Sequence, residues 1–294
     1  MLQSISSMKR RVALATCPQF PDLSDDDRPL IPELARLDVD AAPAVWSRPC
    51  DWSAFDAVVV RSTWYYWLEH ERFARWLAGL EAGGAAVWNP VAVIRENMDK
   101  RYLRGLAQAG VPVVPTEWLA KEDPRTLAEV LESRGWTEAV VKPVVSGNAE
   151  WTFRIGRGRA GQAREALEPA WRLGPAMIQP FVPSILSEGE YSLLFFGGEF
   201  SHAVVKRAKS GDFRVQHEHG GTTAPAAVDR SWIALAESVL ETVGADLLYA
   251  RVDLAVLDGR PHLMELELTE PFLYFEHAPG SAARFARALA RRLS

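Results

Sequence analysis

The chain has 294 residues, of which 48% are hydrophobic and 24% charged, and its formal net charge is −5. This length and hydrophobic share are typical of a globular protein with one large domain or two to three small ones. The acidic balance argues against the basic surface that nucleic-acid binding requires. No apolar run approaches the ~20 residues of a membrane helix. We therefore expect neither a nucleic-acid partner nor a membrane.

The two cysteines, Cys17 and Cys50, provide neither a disulfide framework nor a zinc-binding spacing. The expected location is therefore the reducing cytoplasm. The basic residues 9–11 precede an apolar run at 12–17 that is too short for the hydrophobic part of a signal peptide. Residues 1–7 are interpreted as a frayed or mis-started leader ahead of Met8.

The first part of the chain alternates short apolar runs with helical patterns. Strands are predicted at 12–17, 56–61 and 85–89, and helices at 29–37 and 69–82. This alternation is typical of a βαβ arrangement with a parallel sheet. Residues 16–21 follow the first strand without a Gly-rich turn. The fingerprint of a dinucleotide-binding fold is therefore missing, which argues against hydride transfer.

The chain changes character after Asn89-Pro90. Asn97 is a typical cap for a helix over 98–109, and Gly110 and Pro112 end that helix. The remaining elements are strands at 139–142, 176–179, 191–196, 200–207, 247–257 and 261–268, and helices at 126–134, 160–171, 231–243 and 281–293. A polar loop is predicted at 208–224.

An acidic hairpin is predicted near the end of the chain. An Asp-Gly dipeptide at 258–259 between two apolar runs is a strong hairpin signal. Since positions two apart on a strand face the same side, Glu265 and Glu267 project together. A two-residue loop would pair Asp253 with Met264, whereas a three-residue loop would pair it with Glu265. We predict the three-residue loop.

Three carboxylates on one face repel one another and are costly to desolvate unless a cation compensates them. Hard oxygen ligands without a neighbouring His or Cys suit one or two Mg²⁺ ions, with Mn²⁺ as an alternative. The competing interpretation is a solvated charged face on an edge strand. The apolar residues at 263–268 favour burial. The spacing of Asp253, Glu265 and Glu267 alone leaves both interpretations open.

Two lysines are candidates for binding phosphate. Lys100 falls at about the third position of the helix predicted from 98, where the helix dipole disfavours a cation unless an anion is bound. Lys142 ends the apolar run at 139–141 and faces the loop at 144–151. Each alone is compatible with an ordinary surface lysine. Together they would supply point charges to a nucleotide.

A strand broken by a proline follows at 178–182. Such a segment can offer backbone groups to a purine edge and a Phe ring to its face, although an ordinary strand exit is the alternative. Glu190 precedes the next strand and could accept both hydroxyls of a ribose. A solvated glutamate at the strand end is the competing interpretation.

The order of these motifs resembles the ATP-grasp superfamily, nearest to the bacterial glutathione synthetases and the ribosomal-protein-modifying glutamate ligases. The motifs are Asn97 with Lys100, Val-Lys-Pro at 141–143, Gln-Pro-Phe-Val at 179–182, Gly-Glu at 189–190, Asp253, and Glu-x-Glu at 265–267. Glu-Leu-Glu-Leu-Thr-Glu-Pro at 265–271 and Arg-Ser-Thr-Trp at 61–64 look most like the subgroup that forms D-cycloserine. The resemblance covers about 97–275, and the first part matches in layout more than in motif.

The resemblance implies an α/β fold, α+β in the ATP-binding part: an ATP-grasp fold preceded by a Rossmann-like pre-ATP-grasp domain. It implies a substrate domain at 1–95, a central lid subdomain at 96–180 and a C-terminal subdomain with the metal site at 181–294. Its implied ATP ligands are Lys100 and Lys142 for the phosphates, Gln179, Phe181 and Val182 for the adenine, and Glu190 for the ribose. Asp253, Glu265 and Glu267 would hold the metals.

Two departures from the family pattern stand out. The third metal ligand is usually Asn, and this chain has Glu267. The phosphate-covering loop usually contains several glycines, and here it has only Gly147. We therefore expect Ser146 and Asn148 to assist closure of this loop, together with backbone N–H groups.

The implied activity is an ATP- and Mg²⁺-dependent ligase. Such an enzyme activates a small carboxylate as an acylphosphate for attack by an amine, which gives an amide, a peptide or a ring. Arginines bind planar oxyanions well, and Arg251 is the first choice because it shares a strand face with Asp253. The further candidates are Arg207 and Arg214 as catalytic cations, and Lys206, Arg61 and Ser62 as substrate contacts.

Several alternatives stay open. His217 and His219 are interpreted as part of a mobile substrate-contacting loop, with a zinc site as the alternative. The aromatic run at 64–67 either lines a cleft or packs in the core. A non-catalytic nucleotide-binding protein and a kinase-like phosphotransferase would also bind ATP, but only a ligase forms ADP together with a new C–N bond. The sequence does not identify the substrates, and a homodimer is common among such relatives.

Overall fold

The computed structural model describes residues 9–162, 168, 171 and 174–293, in which thirteen strands form three sheets. The leader at 1–7 and most of the helix predicted at 160–171 lie outside the described residues. None of the described helices is both long and apolar enough to span a membrane.

The first sheet is parallel and has the strand order β2-β1-β3-β4. Its elements are β1 (Arg10–Thr16), α1 (Leu30–Ala35), β2 (Val39–Val45), β3 (Ala57–Val60), α2 (His70–Ala82) and β4 (Val87–Trp88). The parallel pairing and the intervening helices confirm the predicted βαβ arrangement. Strand β2 was not predicted because Asp40 and Pro43 interrupt its apolar pattern. The proline is tolerated since β2 is an edge strand.

Two short helices lead out of this sheet, α3 (Val91–Asn97) and α4 (Tyr102–Gln108). The single helix predicted over 98–109 is therefore wrong at its start. Asn97 ends α3 instead of capping the next helix, and its side chain bonds the backbone of Leu266 and Leu268, at 2.7 Å each. An amide side chain both donates and accepts, so Asn97 serves the tertiary contact where a cap was expected.

The second sheet has the order β5-β8-β6-β7 and is antiparallel. Its elements are β5 (Glu117–Leu119), α5 (Leu127–Ser133), β6 (Glu138–Pro143), β7 (Phe153–Gly156) and β8 (Ala176–Pro180). Helix α5 begins with a capping box in which Thr126 and Glu129 bond each other's backbone N–H. Its buried face packs with the sheet around Leu131, Ala139 and Ile178.

The third sheet has the order β11-β10-β9-β12-β13. Its elements are α6 (Ser184–Ser187), β9 (Glu190–Phe196), β10 (Glu199–Arg207), β11 (Thr222–Ala226), α7 (Arg230–Val243), β12 (Tyr249–Leu257), β13 (Arg260–Glu267) and α8 (Ser281–Leu293). Strand β11 occupies the end of the loop predicted at 208–224. Short 3-10 turns lie at Trp52–Ala54, Tyr66–Glu69, Arg157–Gln162, His217–His219 and Phe275–His277.

The first and third sheets share their cores. Leu14 of the first sheet belongs to the same buried cluster as Tyr249 of β12 and Phe285 of α8. The hydroxyl of Tyr249 donates to the backbone oxygens of Val60 and Thr269, at 2.7 and 2.8 Å. The carboxyl ends of the first parallel strands are thereby fixed against the segment that follows β13.

Candidate active site

A cavity of about 770 Å³ lies where the three sheets meet. Of the seventeen residues predicted for the site, fourteen line this cavity. They are Lys100, Lys142, Ser146, Gly147, Gln179, Phe181, Val182, Glu190, Lys206, Arg214, Arg251, Asp253, Glu265 and Glu267. The structure thus brings together side chains that are far apart in the sequence.

One wall of the cavity is acidic and is built by β12 and β13. Their antiparallel register places Asp253 opposite Glu265 and Arg251 opposite Glu267. The intervening Leu266 is buried on the other face of the sheet. Strand alternation therefore directs apolar side chains to the core and charged ones to the cavity.

The predicted pairing of Asp253 with Glu265 is correct, but the predicted loop is wrong. The turn contains two residues, Asp258 and Gly259, and Leu257 pairs with Arg260. Both turn residues have positive φ, 50° and 74°, as this tight turn requires. A β-bulge between Asp253 and Leu254 then shifts the register by one residue. The bulge restores the pairing that a three-residue loop would have produced.

Protein cations hold Asp253 firmly. It accepts bonds from Ser192 Oγ at 2.6 Å, Arg251 Nη2 at 2.9 Å and Lys206 Nζ at 3.2 Å. Burial alone would raise the pKa of Asp253, but Arg251 and Lys206 outweigh it and lower the pKa to about 2. Asp253 therefore stays ionised, and Lys206 also bonds Glu190 at 2.5 Å.

The two glutamates of the acidic wall differ in charge compensation. Burial raises the pKa of Glu265, but Lys100, whose Nζ lies 3.1 Å away, and Lys142 produce a net lowering. Glu267 is paired with Arg251. Its pKa is nevertheless raised to about 7, because burial and the carboxylates of Asp253 and Glu265 outweigh that arginine. The wall thus retains a deficit of positive charge at Glu267.

Lys100 and Lys142 lie in the cavity near Glu265 of the acidic wall. Lys100 was predicted to lie inside a helix, but it lies between α3 and α4. Its ammonium donates to the carbonyl oxygen of Ser146 at 2.7 Å. The predicted conflict with a helix dipole therefore does not arise. Burial lowers the pKa of Lys142, and in the described part of the chain this ammonium has no ion pair or hydrogen bond.

The end of β8 and the residues that follow it form a further wall of the cavity. Gln179 donates to Thr116 Oγ1 at 3.1 Å, and the backbone N–H of Phe181 bonds the carbonyl oxygen of Glu138 at 3.0 Å. The guanidinium carbon of Arg154 lies 3.6 Å from the centre of the Phe181 ring. Val182 is buried beside these groups.

The loop at 144–151 covers the cavity. Gly147 presses against the ring of Trp67 so closely that a Cβ atom would lie 2.3 Å from it. Trp67 donates to Glu150 at 2.9 Å, and Nε2 of His219 lies 2.9 Å from the carbonyl oxygen of Asn148. His219 thus contacts the loop at 144–151, while its neighbours His217 and Glu218 line the cavity. Its neighbourhood contains no metal-binding cluster among the described residues.

Three predicted site residues lie outside the cavity. Arg61 and Ser62 are buried and bind Asp27, at 2.9 and 2.5 Å, and Arg61 also donates to the carbonyl oxygen of Pro271 at 2.6 Å. These two residues connect parts of the fold and do not contact the cavity. Arg207 is exposed because it alternates with Lys206 on β10 and faces away. Arg214 lines the margin and is paired with Asp212 at 2.8 Å.

Sequence reasoning missed two features of the site. Glu270 lines the cavity, although it was quoted only as part of a motif. Asp26 is buried and accepts the backbone N–H groups of Leu273 and Phe275. The Glu-Leu-Glu-Leu-Thr-Glu phrase could have flagged Glu270 as a further carboxylate near the wall. Nothing in the local sequence signals the contact of Asp26, which spans more than two hundred residues.

The acidic wall fits a magnesium ion that arrives with a nucleotide. Its donors are carboxylate oxygens, and the raised pKa of Glu267 marks a place that is short of positive charge. No three acidic, His or Cys side chains within the described residues form a ready metal cage. Mg²⁺ is typically bound by one or two carboxylates plus substrate phosphates, so a preformed cage is not required.

Three sheets around a cavity that is lined by lysines and carboxylates define a class of protein. Comparisons with known proteins identify it: the chain belongs to the ATP-grasp ligases, which are ATP-dependent enzymes that form carbon–nitrogen bonds. The predicted superfamily and fold class are thereby confirmed.

The similarity extends to one particular relative. The chain is 35% identical over 298 residues to the cycloserine biosynthesis protein DcsG of Streptomyces lavendulae, which covers 96% of this chain and 98% of that protein. Residues 12–89 match the family described as D-cycloserine synthetase DcsG, N-terminal domain.

Solved structures agree. The crystal structure of D-cycloserine synthetase DcsG superposes with a TM-score of 0.87 at 30% identity, over 97% of this chain and 100% of that one. The D-alanine–D-alanine ligase of Bacillus anthracis complexed with ATP shares the fold, with a TM-score of 0.68 at 16% identity over 95% and 94% of the two chains.

Proposed function

We propose that this ligase uses Mg²⁺ and ATP to activate the carboxylate of a small amino acid, and that a nitrogen of the same molecule then closes a ring. One observation carries the proposal: a single cavity holds the acidic wall of Asp253, Glu265 and Glu267 together with Lys142, whose ammonium has no partner among the described residues. Lysines suit phosphate oxygens, and hard carboxylates suit the metal that accompanies them.

The nucleotide is assigned to the part of the cavity between the second and third sheets. Gln179, Phe181 and Val182 would contact the adenine, since they form one wall there. Glu190 would accept the ribose hydroxyls while Lys206 keeps it ionised. Lys100 and Lys142 would bind the phosphates beneath the loop that contains Ser146 and Gly147.

Mg²⁺ would be held by Asp253, Glu265 and Glu267, and when bound it neutralises the charge of the transferred phosphoryl group. Arg251 would orient two of these carboxylates, because it bonds both Asp253 and Glu267. Closure of the 144–151 loop would exclude water, which would otherwise hydrolyse an activated carboxylate.

The chemistry proceeds in two displacements. A carboxylate oxygen attacks the γ-phosphorus of ATP, the bond to the β-phosphate oxygen breaks, and ADP leaves. The nitrogen lone pair then attacks the acyl carbon, a C–N bond forms, the C–O bond to phosphate breaks, and the nitrogen loses a proton. The protein contributes positioning and charge neutralisation in both steps, and no covalent enzyme intermediate is needed.

Ring closure is favoured over joining two molecules because of the similarity to DcsG, whose name assigns it to cycloserine biosynthesis. Cycloserine is a cyclic amide whose bond joins the carboxyl carbon and an oxygen-bound nitrogen of one amino-acid skeleton. Opening that amide with water gives O-amino-D-serine, which is therefore the test substrate.

The test incubates the full chain with ATP, Mg²⁺ and O-amino-D-serine and measures ADP and the organic product by mass spectrometry. We expect ADP and cycloserine in equal amounts. ADP with a phosphorylated acid and no C–N bond would indicate the kinase-like alternative. ADP only when a second amine is added would indicate joining of two molecules, and ATP binding without ADP would refute the proposal.

Two further assignments stay predictions. The division at 1–95, 96–180 and 181–294 is supported by the limits of the three sheets, which lie within 10–88, 117–180 and 190–267. A cytoplasmic location is supported by the two cysteines, one buried and one exposed, that are both free thiols.

A further inference from the structure

Glu270 is a carboxylate of the cavity that has no partner among the described residues. Four other acidic side chains of the cavity, all at least partly buried, are paired: Glu265 with Lys100, Glu267 with Arg251, and Asp253 and Glu190 with Lys206. In the part of the chain that the structure describes, no hydrogen bond or ion pair reaches the carboxylate of Glu270. A partly buried carboxylate of this kind is favourably ionised only when a cation from outside the protein compensates its charge.

The surroundings of Glu270 are aromatic. The indole N–H of Trp64 donates to its backbone oxygen at 3.1 Å, which fixes the residue at the contact between the first and third sheets. Trp64 stacks on Phe272 with ring centres 5.5 Å apart and an angle of 8° between the planes. Tyr66 is buried nearby, and its pKa is raised by burial and then by the charge of Glu270. All four side chains line the cavity.

The pKa of Glu270 also indicates that a compensating cation is missing beside its carboxylate. Burial and the neighbouring Glu267 raise the pKa of Glu270 to about 8, and the opposing effects of Lys100, Arg61 and Arg251 are too weak to offset them. A ligand ammonium beside Glu270 would favour its ionised form.

We propose that Glu270, Trp64, Tyr66 and Phe272 form a subsite for the primary ammonium group of an α-amino acid substrate. This inference rests on the proposed function and adds the residues that would recognise the amino group of the substrate. The carboxylate supplies the opposite charge, and the aromatic faces attract a cation through their quadrupoles. A rigid aromatic wall also fixes the amino acid so that its carboxylate faces the acidic wall and the phosphates.

An ammonium suits this place better than a metal ion. Mg²⁺ requires near-octahedral oxygen ligands, and the three aromatic neighbours of Glu270 supply at most a hydroxyl of Tyr66. An ammonium needs fewer oxygen contacts and gains from the rings. Glu270 therefore selects the amino acid, while the carboxylates of β12 and β13 serve the metal.

The experiment compares two acids that differ only in the amino group: O-amino-D-serine and 3-(aminooxy)propionate. Each is titrated by calorimetry into the full chain with Mg²⁺ and the non-hydrolysable nucleotide AMP-PNP, so that binding is measured without turnover. The des-amino acid lacks the ammonium group and therefore cannot form the charge-assisted bond with Glu270. We expect O-amino-D-serine to bind on the order of 10- to 100-fold more tightly than 3-(aminooxy)propionate. Glu270→Gln should remove most of this preference and leave the affinity for the des-amino acid nearly unchanged.

Glu270→Asp, which keeps the charge, should restore part of the preference. Glu71→Gln is the matched control, since this side chain is 90% exposed on α2 and lies 3.7 Å from the guanidinium of Arg75. Thermal melting of each variant reports whether the fold is kept.

Several results would overturn the inference. Equal binding of the two acids by the unaltered chain would show that no ammonium subsite exists. Equal weakening of both acids by Glu270→Gln would assign a structural role. A Mg²⁺ requirement raised about tenfold in that variant would make Glu270 a metal ligand. If AMP-PNP binds but neither acid does, the proposed function fails together with this inference.

Discussion

Replacing Asp26 with Asn should make the protein's stability less sensitive to pH. The carboxylate of Asp26 accepts the backbone N–H groups of Leu273 and Phe275, the latter at 2.9 Å, and thereby anchors the segment that carries Phe272 and Tyr274 along the cavity. Burial and the neighbouring Asp27 raise the pKa of Asp26 from its ordinary 3.8 to about 7, despite both N–H groups.

The sign follows from proton linkage. Between about pH 4 and pH 7 the unfolded chain has released the proton of Asp26, whereas the folded chain still holds it. The free energy of unfolding therefore falls as the pH rises through this window, and the loss is complete above about pH 7. Since one pKa unit corresponds to about 1.4 kcal/mol, the loss over the whole window is about 4 kcal/mol, of which about 3 kcal/mol falls above pH 5.

The assay is urea unfolding of both proteins at pH 5 and pH 8. Asp26→Asn keeps one acceptor oxygen but cannot titrate, so its stability relative to the unaltered chain should increase by about 2–4 kcal/mol between these pH values. Asp38→Asn is the control, because that side chain is 89% exposed. A relative stability that is flat with pH, or that decreases, would mean that the two N–H groups already keep Asp26 ionised, and the reasoning would be refuted.

Two further substitutions separate catalysis from folding. Glu267→Gln should lower ADP release on the order of 100-fold. The melting temperature should change little, because Arg251 remains paired with Asp253. Full activity of this variant would show that Glu267 is not a metal ligand. Lys206→Met leaves Asp253 and Glu190 short of a buried cation and should cost roughly 3–5 kcal/mol in urea unfolding. The exposed Lys121→Met is its control, and an equal effect of both lysines would contradict the buried network.

Most of the predicted residues that line the cavity were assigned because their motifs occur in the order typical of the family that the sequence resembles, and the two glutamates of β13 also follow from a local pattern. Alternation on β13 placed Glu265 and Glu267 on one face, and the Asp-Gly turn made that strand pair with β12. The elements that were missed have weak local signals. Strand β5 has three residues, and β2 contains a proline that only an edge position tolerates. The bulge at Asp253 is invisible in the sequence, although it decides which carboxylates face each other.

Arg61 was predicted as a substrate contact from its position at the end of a strand, and this prediction is wrong. Residues at the carboxyl end of a parallel strand usually face a ligand crevice, and Arg61 directly follows β3. Here the segment after β13 already covers that end, since Arg61 donates to Pro271 and Tyr249 donates to both Val60 and Thr269. The crevice is thereby displaced toward Trp64 and Tyr66, which line the cavity together with Glu270. The same long-range packing that buries Arg61 thus creates the aromatic wall, and it explains why Glu270 became a candidate only once the tertiary structure was known.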